Sequence, residues 1–351
     1  MKGLWIVAAV CSLAACTDDA DEGRGDTLRL LTYVPTFQEV PASRAVTVPE
    51  GCQPFGTFYP GAATELPAIG VFLTPKDATL LQSFQYKANG TWDSSIRVKE
   101  ESYYVYGYYP QSCASSASVT PLSGDYATGA VLHLAGVPTL TTIDPCVTVG
   151  IQGATSSSAD VTLAPGSFLY ATQPKGHNYL YMLFDHLYAA LQFSIRVDAT
   201  YATLRTIHLK SLALQTTGAN ATDIDVTLAA GAEALTLDDV TYTSLATTGA
   251  ELPMFTATGT GTVLTTEYQG ISGMACFLPS LRSNLTLVST YDVYDRKGNL
   301  VREGCRAVNA LILPPSISRG QRNTIRLTVN PTYLYQLSEP ELDNPTITIE
   351  S

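Results

Sequence analysis

Between Leu191 and Asp198 every odd position is apolar and every even one polar, the two-residue period of a strand with one buried face. Thr206-Ile207-His208-Leu209-Lys210 repeats that period, and Thr324 to Val329 predicts a further strand that Pro331 closes. Other runs are apolar on both faces. Ala68 to Leu73 contains no polar side chain, and Tyr103 to Tyr109 carries aromatic residues at odd and even positions alike. Such runs predict strands covered on both sides, since tyrosine suits half-buried strands whose hydroxyls find partners. Leu28 to Pro35 predicts a first strand, and Asn89-Gly90 a turn before Trp92. Leu285 to Val288 and Tyr291 to Tyr294 lead into Asp295-Arg296-Lys297-Gly298-Asn299 and return through Leu300-Val301-Arg302, the pattern of a hairpin. No window sustains an amphipathic helix of useful length, although Asp77 to Phe84 predicts a short one. An all-β chain of two antiparallel β-sandwich domains in tandem is the economical reading.

One apolar run differs from these. Leu4 to Ala15 is apolar apart from Ser12 and follows the single charge of Lys2. About twelve helical residues cover roughly 18 Å, short of the roughly 30 Å of a bilayer core, so the run reads as a signal peptide over residues 1–15. Leu13-Ala14-Ala15-Cys16 resembles the bacterial lipobox, which makes Cys16 the lipidated N-terminus of the mature chain. Two or three acyl chains, at about 0.8 kcal/mol per buried CH₂, hold a protein durably to a membrane. The acidic stretch Thr17 to Glu22 cannot pack and resembles the tethers that send lipoproteins to the surface of some Gram-negative cells.

A length of 351 residues exceeds one usual core, which supports two domains, and the block that opens after Pro174-Lys175-Gly176 places their boundary at 174/175. A net charge of -11 argues against nucleic acid as a partner. Five cysteines remain after Cys11 and Cys16: Cys52, Cys113, Cys146, Cys276 and Cys305. An exported chain permits up to two disulfides among them, and buried free thiols between strands are the other reading. Their spacings fit no metal knuckle, so no metal ligand and no cofactor is expected.

Catalytic signatures are missing. His133, His177, His186 and His208 show no ligand spacing, and His186 and His208 read as structural residues. Gly270-Ile271-Ser272-Gly273 lacks the spacing of a nucleophile elbow, and no phosphate-binding glycine loop with lysine occurs. The chain is therefore not expected to be an enzyme.

Taken in order, several stretches resemble the fimbrillins, the subunits of type V pili of Gram-negative anaerobes. They are the lipobox, Ser43-Arg44-Ala45 after a first strand, Tyr104 to Pro110, Asp185-His186-Leu187-Tyr188-Ala189-Ala190-Leu191-Gln192-Phe193, and Asn323 to Val329. That resemblance implies transthyretin-like sandwiches and a surface lipoprotein precursor, carried to the outer membrane on Cys16. It further implies cleavage by an arginine-specific protease between Arg44 and Ala45, which would remove a first strand carried within residues 16–44. An N-terminal domain over 45–174 and a C-terminal one over 175–351 would remain. Neighbouring pilin subunits would be the partners, and the fimbrium the final location. The C-terminal extension 333–351, with Thr346, Ile347, Thr348 and Ile349, would supply a donor strand to the groove of the next subunit. An ordinary final strand closing its own sheet is the competing reading of that segment. The competing function is a surface glycan-binding lipoprotein, for which, with Trp92 the one tryptophan left after the signal, the tyrosines of 103–109 are the candidate sugar platform.

Overall fold

A computed structural model describes residues 26–39, 52–54, 66–74, 80–172, 178–246, 248–271, 273–330 and 346–350. Cys16, Arg44 and Ala45 lie outside the described residues, as does most of the extension before Thr346. The chain is all-β. Its strands form sheets of nine, seven, five and four strands, and among the described residues the one α-helical turn is Ala199–Ala202.

In the nine-stranded sheet the order runs Cys146–Ala154, Asn178–His186, Asp26–Pro35, Trp92–Val98, Leu80–Tyr86, Ile69–Thr74, Ser102–Tyr109 and Leu169–Ala171, with Cys52–Pro54 beside the first strand. Cys146 and Val147 also pair with Tyr109 and Tyr108, which closes the sheet into a ring. Ile69, Val71, Leu73, Phe84, Trp92, Leu180, Met182 and Phe184 fill its interior. The ring explains why the two-sided apolar runs exist. Val71 points inward, while Phe72, Tyr106 and Tyr108 point outward into a second core shared with the other sheets. As the pattern from 103 to 109 predicts, these tyrosines pack on both faces.

Within Asp77 to Phe84, where the sequence predicts a short helix, the described residues from Leu80 onward are not helical. Leu80–Tyr86 is a strand, with Phe84 opposite Ile69 and Tyr86 opposite Trp92. Pairing on both sides and full burial of Phe84 outweigh a weak local helical preference. The hairpin at Asp295 forms as predicted. Gly298 takes a φ of 83°, which a residue without Cβ adopts at little cost, and Asp295 accepts hydrogen bonds from Lys297 N and Asn299 N at 2.8 Å each.

Strand pairing runs across position 174. Asn178–His186 belongs to the ring, and the four-stranded sheet joins Ser116–Pro121 and Gly129–Pro138 to Ala221–Ala229 and Val240–Ser244. The chain leaves the ring at Leu187 and Tyr188, both fully buried. Ala189–Val197 then pairs in parallel with Gln321–Asn330 in the seven-stranded sheet. Arg205–Ala219 and Leu285–Asp295 form the centre of the five-stranded sheet.

All five remaining cysteines are free thiols, with Cys146, Cys276 and Cys305 buried. Of the two readings, buried thiols among strands is the one observed.

Candidate functional site

The first strand, Asp26–Pro35, is inserted between two neighbours. It runs parallel to Asn178–His186, with Leu28 opposite Asn178 and Tyr33 opposite Leu183. Its other edge pairs antiparallel with Trp92–Val98. Leu28, Leu30 and Val34 are fully buried in the ring, and each such side chain contributes about 1.5–3 kcal/mol. Between them Arg29, Leu31 and Tyr33 are half-buried on the outer face, the alternation that one strand face in a core requires. Trp92 Nε1 donates to Thr32 Oγ1 at 2.8 Å, and the rings of Tyr33 and Tyr181 stack with centroids 6.3 Å apart.

Beyond Pro35 the chain crosses to the seven-stranded sheet. Gln38–Glu39 pairs in parallel with Gln321 and Arg322, at the start of Gln321–Asn330. Thr346–Glu350 lies antiparallel against Arg326 to Asn330, with Ile349 opposite Leu327 and Ile347 opposite Val329. The segment expected to be removed and the strand expected to be donated are thus brought to consecutive stretches of one strand. Thr346, Ile347, Thr348 and Ile349 pair here within their own chain.

At the point of crossing lies a polar cluster. Phe37 stacks on the His186 ring with centroids 4.0 Å apart, and Pro35 O accepts from His186 Nε2 at 2.7 Å. The other ring nitrogen, Nδ1, contacts Asp144 Oδ2. Cys146 Sγ donates to the same carboxylate oxygen at 3.0 Å and stands 3.9 Å from His186 Nδ1. Asp144, Cys146 and His186 are all fully buried. Burial pushes the Cys146 thiol pKa well up, and the Asp144 carboxylate beside it adds to the rise. Asp144 Oδ1 is buried without a hydrogen-bond partner. Strand pairing assembles this group, because Cys146 lies directly opposite His186.

Next to it, Arg319 donates from Nη1 to Asp185 Oδ2 at 2.9 Å and to His186 O at 3.1 Å, and from Nη2 to Leu235 O. This buried pair fastens the strand beside the first strand to the C-terminal part of the chain. A cleft of about 100 Å³ opens there, lined by Pro35, Val149, Pro165, Asp185 and Leu235.

Sequence reasoning treated His186 as structural and did not join it to Asp144 or Cys146. The spacing Asp144-Pro145-Cys146, two ligand-type side chains one residue apart, was the available signal. The tyrosines of 103–109, the candidate sugar platform, are largely buried, Tyr109 fully so, and the one remaining tryptophan, Trp92, is fully buried too.

No protein-family model and no curated protein matches this sequence. Among solved structures, the chain is similar to a putative cell adhesion protein from Bacteroides uniformis, at 12% identity and a TM-score of 0.43, over 94% of this chain and 98% of that one. It is also similar to a fimbrial protein from Bacteroides vulgatus, at 12% identity and a TM-score of 0.43, over 91% of this chain and 98% of that one.

Proposed function

We propose that this chain is a structural or adhesive subunit of a surface pilus, with no enzymatic role, and that it polymerises by exchanging strands. The observation that carries the reading is the seat of the first strand. Asp26–Pro35 pairs on both edges and buries Leu28, Leu30 and Val34, so its departure leaves a groove with two rows of unpaired main-chain groups and three empty side-chain positions. Such a groove selects an extended peptide with alternating apolar side chains. Thr346-Ile347-Thr348-Ile349 has that alternation.

In this reading Cys16 carries the lipid that takes the precursor to the outer membrane. An arginine-specific protease then cuts between Arg44 and Ala45, five residues past Glu39. The first strand and its continuation to Glu39 leave together, which frees the ring and the start of Gln321–Asn330. A neighbouring subunit fills the vacancy with its C-terminal extension. Contacts made head to tail in this way give an open filament.

Soluble protein beginning at Thr17, treated briefly with an arginine-specific protease, tests the proposal by intact mass and an unheated denaturing gel. The expected result is one cut after Arg44 followed by a detergent-resistant ladder that requires residues 340–351. Resistance at Arg44, or a ladder that forms equally well without the tail, overturns it.

A further inference from the structure

Asp144, Cys146 and His186 form a set of donors that hydrogen bonding alone leaves incomplete. The carboxylate oxygen Oδ2 receives both the thiol and the imidazole, while Oδ1 of the same fully buried group has no partner. A buried carboxylate oxygen with nothing to accept from costs stability, so native proteins rarely leave one. His186 is already oriented as ligating histidines are. Its distal nitrogen donates to a main-chain carbonyl, Pro35 O, at 2.7 Å, which turns Nδ1 toward Asp144 and Cys146.

The donor chemistry also balances charge. A thiolate, a carboxylate and a neutral imidazole around a divalent cation sum to zero, the one total that a fully buried site tolerates cheaply. Bond lengths of about 2.3 Å to sulfur and 2.0–2.2 Å to nitrogen and oxygen put tetrahedral donors roughly 3.4–3.6 Å apart. Cys146 Sγ and His186 Nδ1, at 3.9 Å, stand near that separation already, and Sγ to Oδ2 is 3.0 Å. The Asp144–His186 contact has to open on metal entry, and the partnerless Oδ1 makes this carboxylate free to serve with both oxygens. Sulfur, nitrogen and the carboxylate then hold the ion from three sides, the two oxygens of Asp144 sharing one position because they sit closer together than tetrahedral donors do.

We propose that Asp144, Cys146 and His186 bind one zinc-like divalent cation as a structural centre. Binding replaces two protons, the one on the Cys146 thiol and the one shared between His186 and Asp144, and both are released to solvent. Because all three side chains are sealed from solvent, the ion enters as the ring folds. The centre joins the start of Cys146–Ala154 to the end of Asn178–His186, beneath Pro35 and Phe37. Its test reads the uncleaved chain, in which Pro35 and Phe37 are in place, so its outcome is separate from that of pilus assembly.

The test refolds the exported chain, residues 17–351, with Zn²⁺ or with a chelator, and measures bound metal and melting temperature. One equivalent of zinc and a higher melting temperature are expected. X-ray absorption on the unmutated protein should show one sulfur at about 2.3 Å among nitrogen and oxygen neighbours. Cys146→Ser should lower zinc affinity at least tenfold. Folded protein that retains less than a tenth of an equivalent, or a zinc shell without sulfur, or retention unchanged in folded Cys146→Ser, overturns the proposal. Should Cys146→Ser fail to fold, the absorption measurement on the unmutated chain decides alone.

Discussion

The two ends of the described chain are both strands, and they are seated in opposite ways. Asp26–Pro35 has a neighbour on each edge and fully buried side chains at every second position. Among the described residues, Thr346–Glu350 pairs along one edge, with Gln321–Asn330. An inserted strand cannot leave without breaking two ladders and opening a core. A strand held on one edge leaves by breaking one. For Thr346–Glu350, net hydrogen-bond gains of about 1 kcal/mol each are set against an ordering cost of about 1–2 kcal/mol per residue, and the two nearly cancel. One strand is thus costly to lose and the other is cheap to move, which is the asymmetry that strand exchange between subunits needs.

That comparison can be broken in three ways. The largest effect should come from Arg319→Met, which takes the guanidinium away from the buried Asp185 carboxylate on the strand that flanks the first one. A loss of about 3–5 kcal/mol in denaturant unfolding is expected, and no loss would mean the seat of the first strand is not held from the C-terminal side. Leu30→Ala, at a fully buried site, should cost about 2–5 kcal/mol by the same measurement. Deleting residues 346–351 should cost the isolated subunit less than about 2 kcal/mol. A loss as large as that from Leu30→Ala would erase the contrast between the two strands.

The smallest effect concerns the turn at Asp295. Hydrogen bonds from Asn299 hold this carboxyl below its ordinary value of 3.8. A depressed folded value contributes to the turn above the unfolded value, and the contribution is lost as pH falls through the lowered one. Amide exchange at Lys297 and Asn299 should therefore be faster in Asp295→Ala at neutral pH. The difference should shrink in acid, with global unfolding unchanged.

Strand positions were legible because side-chain alternation is local. Leu191 to Val197 carries its burial pattern in plain order, and the turn at Asp295 to Asn299 is written in residues that favour it. Leu80–Tyr86 was misread because a short mixed run carries too little periodicity to outweigh a helix assignment, and only its pairing with Ile69–Thr74 and Trp92–Val98 decides it. The polar cluster was illegible for a related reason. Asp144 and Cys146 are neighbours in sequence, but His186 is forty positions from Cys146 and meets it across an antiparallel ladder whose register no local pattern states.

By itself the sequence determined an all-β chain, the position of its first strand, the two-sided burial of the tyrosine run and the hairpin at Asp295. These follow from alternation and turn chemistry, which act over a few residues. Only the tertiary structure decided that the nine-stranded sheet closes on itself, that the first strand lies between Trp92–Val98 and Asn178–His186, and that Gln38–Glu39 and Thr346–Glu350 both meet Gln321–Asn330. It also decided that an acid, a thiol and an imidazole share one sealed site. Each of these depends on which strand edges meet and in what register, and main-chain hydrogen bonds are the same for every residue type. The choice among edges is made by how the buried faces fit one another, over separations that no window of the sequence spans.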